Sequence, residues 1–140
     1  MIGDEDAPFL LPEAMREEIV AHAHAEAPRE CCGVIGGRAG HATRLDRLTN
    51  LEPGVDRYRI DDAELYRVYR ELDDDGADIV AIYHSHPVSA AYPSRTDFAL
   101  AMWPDAVYLI CSLADPTAPD LRAFRIRDGQ ITETPLTTKD

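Results

Sequence analysis

The chain has 140 residues, enough for one domain with a substantial core, since a domain of about 150 residues buries roughly 68–70% of its unfolded surface. Its apolar fraction of 45% and charged fraction of 29% are those of a soluble globular protein and argue against a disordered chain. With 26 acidic against 14 basic residues, the net charge of −12 argues against nonspecific attraction to nucleic acid or to an anionic membrane.

No run approaches about 18 consecutive apolar residues. The start, Met1-Ile2-Gly3-Asp4-Glu5-Asp6, is acidic where a secretory signal would be basic and then apolar, so a cytoplasmic protein is expected. Three cysteines, two of them adjacent at Cys31 and Cys32, do not form a disulfide framework, and there is no Cys-x-x-Cys. They are expected as reduced, partly buried thiols.

In chain order, residues 1 to 8 read as a flexible leader, and 9 to 140 as the folded domain. Pro12 to about Ala27 is a predicted amphipathic helix, with Pro near its first turn and Met15, Ile19 and Ala23 spaced by four. Cys32 to Ile35 is a short core strand that Gly36-Gly37 should close in a turn. His41 to Asn50 is a weaker strand signal, Pro53-Gly54 marks a loop, and Arg57 to Ile60 alternates with Tyr58 and Ile60 on one face.

Asp61 and Asp62 are suitable caps for a second helix, in which Leu65, Val68, Tyr69 and Leu72 follow an i, i+3, i+4, i+7 pattern before Asp73-Asp74-Asp75-Gly76 ends it. The run Ile79-Val80-Ala81-Ile82-Tyr83 is a buried strand. Ser94 to Met102 has helical spacing and stops before Trp103-Pro104. Val107 to Leu113 is another buried strand. Leu121 to Arg127 and Gln130 to Thr134 flank Asp128-Gly129, a strong hairpin signal. Helices and strands alternate first and strands gather late, which predicts an α/β protein: a single domain with a mixed β-sheet flanked by helices.

The chemistry concentrates where the fourth of these strands ends, at His84-Ser85-His86-Pro87. Residues i and i+2 of a strand project to the same side, roughly 7 Å apart at the backbone, so two imidazoles can converge on one ion. Two histidines and a carboxylate are an ordinary ligand set for a catalytic zinc that keeps one position open. His84, His86 and Asp97 would supply it, and Glu30 is the candidate general base.

Each member also has a plainer reading. Ser94-Arg95-Thr96-Asp97 is capping-box-like, with the hydroxyl capping a helix and the acid reaching back. A strand histidine is more often a packed or solvated residue than a ligand. Only the combination points to a metal. His22, His24 and His41 are assigned to packing or solvent. There is no His-Glu-x-x-His and no deaminase pairing of His-x-Glu with Pro-Cys-x-x-Cys. An amidohydrolase barrel needs about 250 residues.

Pro28-Arg29-Glu30-Cys31-Cys32-Gly33, followed by His84-Ser85-His86-Pro87, six residues, Ser94, two residues and Asp97, resembles the JAMM (MPN-plus) zinc metalloprotease family. The resemblance covers essentially the whole domain and implies the JAMM/MPN, cytidine-deaminase-like architecture. It implies one Zn²⁺ per chain held by His84, His86 and Asp97, Glu30 as general base and proton shuttle, and Ser94 as the hydroxyl that steadies the tetrahedral intermediate.

Within the family, Tyr83-His84-Ser85-His86, Ala91-Tyr92-Pro93-Ser94-Arg95-Thr96-Asp97 and the end Arg125 to Pro135 look closest to bacterial enzymes acting on ubiquitin-like sulfur-carrier proteins. By resemblance the expected reaction is hydrolysis of the amide after a carrier's C-terminal Gly-Gly, releasing cysteine or a short extension. Removal of a ubiquitin-like modifier from lysine, and a non-catalytic MPN binding module, are the alternatives. The expected partner is the carrier or its conjugate; no nucleic acid or membrane partner is expected, and a homodimer is left open.

Overall fold

The computed structural model describes residues 7–139. Eleven elements follow in order: β1 (Phe9–Pro12), α1 (Glu13–Glu26), β2 (Cys32–Arg38), β3 (His41–Leu48), α2 (Asp62–Asp74), β4 (Asp78–His86), α3 (Arg95–Leu100), β5 (Val107–Ser112), β6 (Asp120–Arg127), β7 (Gln130–Thr134) and β8 (Leu136–Lys139). Six strands form one sheet in the order β3-β2-β4-β5-β6-β7, and β1 pairs with β8 in a separate two-stranded sheet. Only β4 and β5 run parallel in the large sheet, so it is mixed, as the alternation of elements predicts.

The central strands β4 and β5 are apolar along most of their length because both faces are covered. On one face, Ile35, Ala81, Tyr83 and Leu109 pack with Ile19 and Ala23 of α1. On the other, Val34, Ile82 and Tyr108 pack with Val68 and Leu72 of α2. Fully burying one such aliphatic side chain contributes about 1.5–3 kcal/mol, so these two layers hold the sheet rigid beneath whatever its strand ends carry. Strand alternation then places Ile82, His84 and His86 on the α2 face and Tyr83 and Ser85 on the α1 face.

Several local expectations hold for stereochemical reasons. The Asp61 carboxylate accepts from the backbone N–H of Ala63 at 2.9 Å and of Glu64 at 3.4 Å, capping α2. Asp128 and Gly129 take φ of 54° and 73°, the left-handed pair that a two-residue hairpin requires. The cysteines are free and buried, and burial pushes Cys31 and Cys32 up to about 12, leaving them unreactive thiols.

Other expectations need correcting. Gly36-Gly37 is not a turn: β2 continues to Arg38 and turns at Ala39-Gly40, with a register shift at the glycines. A Cβ on Gly36 would lie 2.2 Å from the Leu72 side chain, so the glycine serves close helix–sheet packing. Residues 57–60 make no strand, only a single bridge between Asn50 and Ile60. The third helix ends at Leu100 rather than Met102, because the N–H groups of Met102 and Trp103 turn to donate to the Tyr108 hydroxyl, each at 3.0 Å.

Strand β1, just ahead of the predicted helix and sharing only Pro12 with it, was not expected, nor was β8. The expected leader falls mostly outside the described residues, apart from exposed Ala7 and Pro8. Among the described residues no helix is long and apolar enough to cross a membrane.

Candidate metal centre

The antiparallel register of β2 on β4 sets Cys32 opposite His84. Continuing the ladder backwards, Ser85 N–H donates to Cys31 O at 3.2 Å, and Cys31 N–H donates to Ser85 Oγ at 2.8 Å. Glu30 therefore lies alongside His86, although 56 positions separate them in the chain. From the other side α3 presents Asp97 in its first turn. Glu30, His84, His86 and Asp97 are all buried, and one potential ligand atom from each lies within 4.8 Å of the other three.

Three of those atoms form a tight triangle. His84 Nε2 and His86 Nε2 are 3.2 Å apart, and Asp97 Oδ2 lies 3.0 Å from the first and 2.9 Å from the second. A tetrahedral zinc with bonds of about 2.0–2.2 Å spaces its donors about 3.3–3.5 Å apart, so the triangle fits such an ion after small relaxation. The chemistry of the donors agrees. The carbonyl of Ala90 can only accept, so His86 Nδ1, 2.8 Å away, carries the hydrogen and a neutral ring turns its Nε2 lone pair toward Asp97. Two acceptors 2.9 Å apart require a positive charge between them, either a proton or a metal cation.

The electrostatics carry the same message. Burial lowers the pKa of His84 despite the carboxylate beside it. Burial also acts to lower that of His86, but its hydrogen bonds to Asp97 and the Ala90 carbonyl prevail and raise it. For Asp97, burial is outweighed by the two imidazoles and the Ser94 N–H, which hold its carboxyl far below the ordinary range. A carboxylate kept ionised beside two imidazoles can hold a cation.

Glu30 differs. Burial raises its pKa to about 7, the charge of His86 opposes this, and the charges of Asp97 and Asp56 add to it. Its buried Oε1 has no hydrogen-bonding partner among the described residues. It is therefore a carboxyl that exchanges a proton near neutral pH and has an acceptor atom to spare.

Ser94 and Asp97 answer the choice between helix cap and ligand: they form both. Ser94 Oγ accepts from Asp97 N–H at 3.0 Å, and Ser94 N–H donates to Asp97 Oδ2 at 2.9 Å, completing a capping box. The same Oδ2 faces the imidazoles, so the cap aims the carboxylate. Ser94 itself is exposed. Because its Oγ is the acceptor in the cap, its O–H remains able to donate.

Other histidines stay apart. His22 is buried, with Nδ1 2.8 Å from the Tyr83 hydroxyl, while His24 and His41 are exposed. Two neighbours of the site escaped the sequence reading. Asn50 donates through Nδ2 to Glu30 O at 2.9 Å, and Tyr58 stacks on the His84 ring with centroids 4.4 Å apart and planes at 21°. The alternation at 57–60 placed Tyr58 on a face but could not say which ring it meets.

The comparisons with known proteins converge on one class. Residues 12–127 match the family of prokaryotic homologues of the JAB domain, and the chain belongs to that family. It is 45% identical over 121 residues to the CysO-cysteine peptidase of Mycobacterium tuberculosis (strain ATCC 25618 / H37Rv), covering 84% of this chain and 82% of that one. It is 40% identical over 105 residues to the desampylase of Haloferax volcanii, covering 69% and 75%. The solution structure of protein DSY2949 from Desulfitobacterium hafniense superposes with a TM-score of 0.84 at 32% identity, covering 94% of this chain and 92% of that one.

Proposed function

We propose that the protein is a zinc-dependent peptidase that hydrolyses the amide bond after the C-terminal Gly-Gly of a small ubiquitin-like sulfur-carrier protein, releasing cysteine or a short extension. The observation that carries this reading is the buried triangle of His84, His86 and Asp97 with the Glu30 carboxyl beside it, whose Oε1 has no partner among the described residues. Likeness to a relative named CysO-cysteine peptidase supports the choice of substrate.

His84 and His86 would bind one Zn²⁺ through Nε2 and Asp97 through Oδ2. A zinc ion held there would supply Lewis acidity, to polarise the scissile carbonyl and make water more acidic near neutral pH. Glu30, whose carboxyl is raised by burial in the metal-free chain, takes a proton from the attacking water and returns it to the leaving amine. General acid–base help of this kind is worth roughly 10²–10⁴ in rate. The Ser94 O–H donates to the carbonyl oxygen as negative charge builds on it. A Gly-Gly tail, having no side chains, can lie extended along a strand edge and reach so enclosed a centre.

The likeness to a desampylase favours a second reading, removal of a ubiquitin-like modifier from lysine. A non-catalytic MPN binding module would have no use for the free Glu30 carboxylate. Zinc-loaded protein incubated with carriers bearing either a C-terminal cysteine or a lysine-linked partner, followed by mass spectrometry, reports the bond broken. Cleavage after Gly-Gly with release of cysteine, lost on chelation and restored by zinc, is the expected result. Glu30→Ala should retain zinc and fail to cleave; full activity in that variant would remove Glu30 from its role.

A further inference from the structure

The two histidines of the centre are held in different ways. His86 has a hydrogen-bonded anchor at Nδ1, the carbonyl of Ala90 at 2.8 Å. His84 has none: its Nδ1 is buried and lacks a hydrogen-bonding partner among the described residues. A ligating histidine ordinarily fixes its ring by donating from the second nitrogen, and the torsion that turns an imidazole is otherwise soft. Some other contact has to set the plane of His84.

Tyr58 makes that contact. Its ring lies over the imidazole at 4.4 Å between centroids and 21° between planes, a stacked arrangement that resists rotation of either ring. Tyr58 is also held, because the loop of residues 51–59 is pinned at its neck. Leu51 N–H donates to Arg59 O at 2.8 Å, and Asn50 Oδ1 accepts from the N–H groups of Glu52 and Arg59, both at 2.9 Å. Asn50 Nδ2 donates to Glu30 O at 2.9 Å, and Arg29 donates to Asn50 O at 2.8 Å. Beyond the neck, Tyr58 packs against the α2-side core cluster.

We propose that Tyr58 is a positioning residue of the metal centre, its ring fixing the His84 imidazole in the ligating orientation in place of the missing hydrogen bond at Nδ1, with Asn50 holding the loop that delivers it. This rests on the metal-centre reading given above and assigns Tyr58 no contact with substrate. The ring is what matters, so the hydroxyl is dispensable.

The test measures zinc affinity of chelator-stripped wild type, Tyr58→Phe and Tyr58→Leu by competition with a chromophoric chelator, together with the visible spectrum of each after loading with Co²⁺. Tyr58→Phe should bind zinc as wild type does and give the same cobalt spectrum. Tyr58→Leu should bind about 10-fold or more weakly, as expected on removing a ligand's support, and give an altered cobalt spectrum. A loss confined to general stability would leave that spectrum unchanged.

Equal affinity and spectrum in all three would overturn the assignment, as would a loss in Tyr58→Phe as large as in Tyr58→Leu. Failure of the wild type itself to bind zinc would remove the metal centre and this proposal with it, an outcome distinct from equal binding. A measurement that needs no variant covers the case in which Tyr58→Leu does not fold. In the NMR spectrum of the metal-free wild type, the ring protons of His84 should be shielded by the stacked phenol relative to those of His86, and unshielded His84 protons would equally overturn the assignment.

Discussion

At the scale of single residues, Glu30 is held at a cost that its proposed chemistry requires. In the unfolded chain it loses its proton near 4.5, whereas the folded protein keeps it to about 7 because burial disfavours the charge. The folded state therefore binds more protons across that window, and the contribution of Glu30 to stability falls as pH rises from 4.5 to 7 and is flat beyond. At 1.36 kcal/mol per pKa unit the whole effect is about 3 kcal/mol, as an upper figure. Asp97 has the opposite sign, its contribution being present above its unfolded value and lost as pH falls through its lowered folded value. Comparing metal-free Glu30→Gln with metal-free wild type isolates the first term. Urea denaturation should show the variant gaining about 2–3 kcal/mol relative to wild type between pH 5 and pH 8. A difference that does not change with pH would mean that Glu30 is not desolvated.

At the scale of elements, α3 is six residues long and has little intrinsic stability, so its cap matters more than its length. Ser94→Ala removes the acceptor for Asp97 N–H and should cost about 1 kcal/mol. The Ser94 backbone N–H still holds Asp97 Oδ2, so zinc content should be kept while turnover falls by about 10²–10³ if the proposed donor to the carbonyl oxygen is lost. Zinc content falling in step with activity would confine Ser94 to capping. The β1–β8 pair makes a separate prediction. Leu11 is fully buried within it and packs into the α1-side cluster, so Leu11→Ala should destabilise by about 2–5 kcal/mol in thermal or chemical denaturation. A cost under about 1 kcal/mol would show that this small sheet adds little to the core.

At the scale of the whole molecule, zinc that binds the folded chain and not the unfolded one stabilises by mass action. Free zinc at 100 times its Kd should add about 2.7 kcal/mol and raise Tm by about 10 °C, an effect that a chelator reverses. Calorimetry with and without zinc checks this, and a Tm indifferent to zinc would contradict the triangle as a metal centre. The net charge of −12 sets up a field that draws in divalent cations and repels other acidic surfaces, so basic surface on the partner would speed its encounter at low salt.

What the amino-acid order determined by itself is what depends on near neighbours along the chain. The helical spacing of α1 and α2, the Asp128-Gly129 hairpin, the Ser94–Asp97 cap and the two histidines on one strand face are all set by sterics and hydrogen bonds within a few residues. His84, His86, Ser94 and Asp97 stand out as residue types at recognisable spacings, whereas Glu30, far upstream, drew its candidate role from the family resemblance. Tertiary structure decided what spacing cannot encode. The β2–β4 register brings Glu30 beside His86, and only burial in that place moves its pKa to about 7. Tyr58 on His84, Asn50 on the Glu30 carbonyl and β1 against β8 join segments far apart in the chain, where contacts follow from packing against partners that no local pattern names. Gly36-Gly37 misled for the same physical reason: a glycine marks either a turn or a close approach, and only the Leu72 side chain above it tells which.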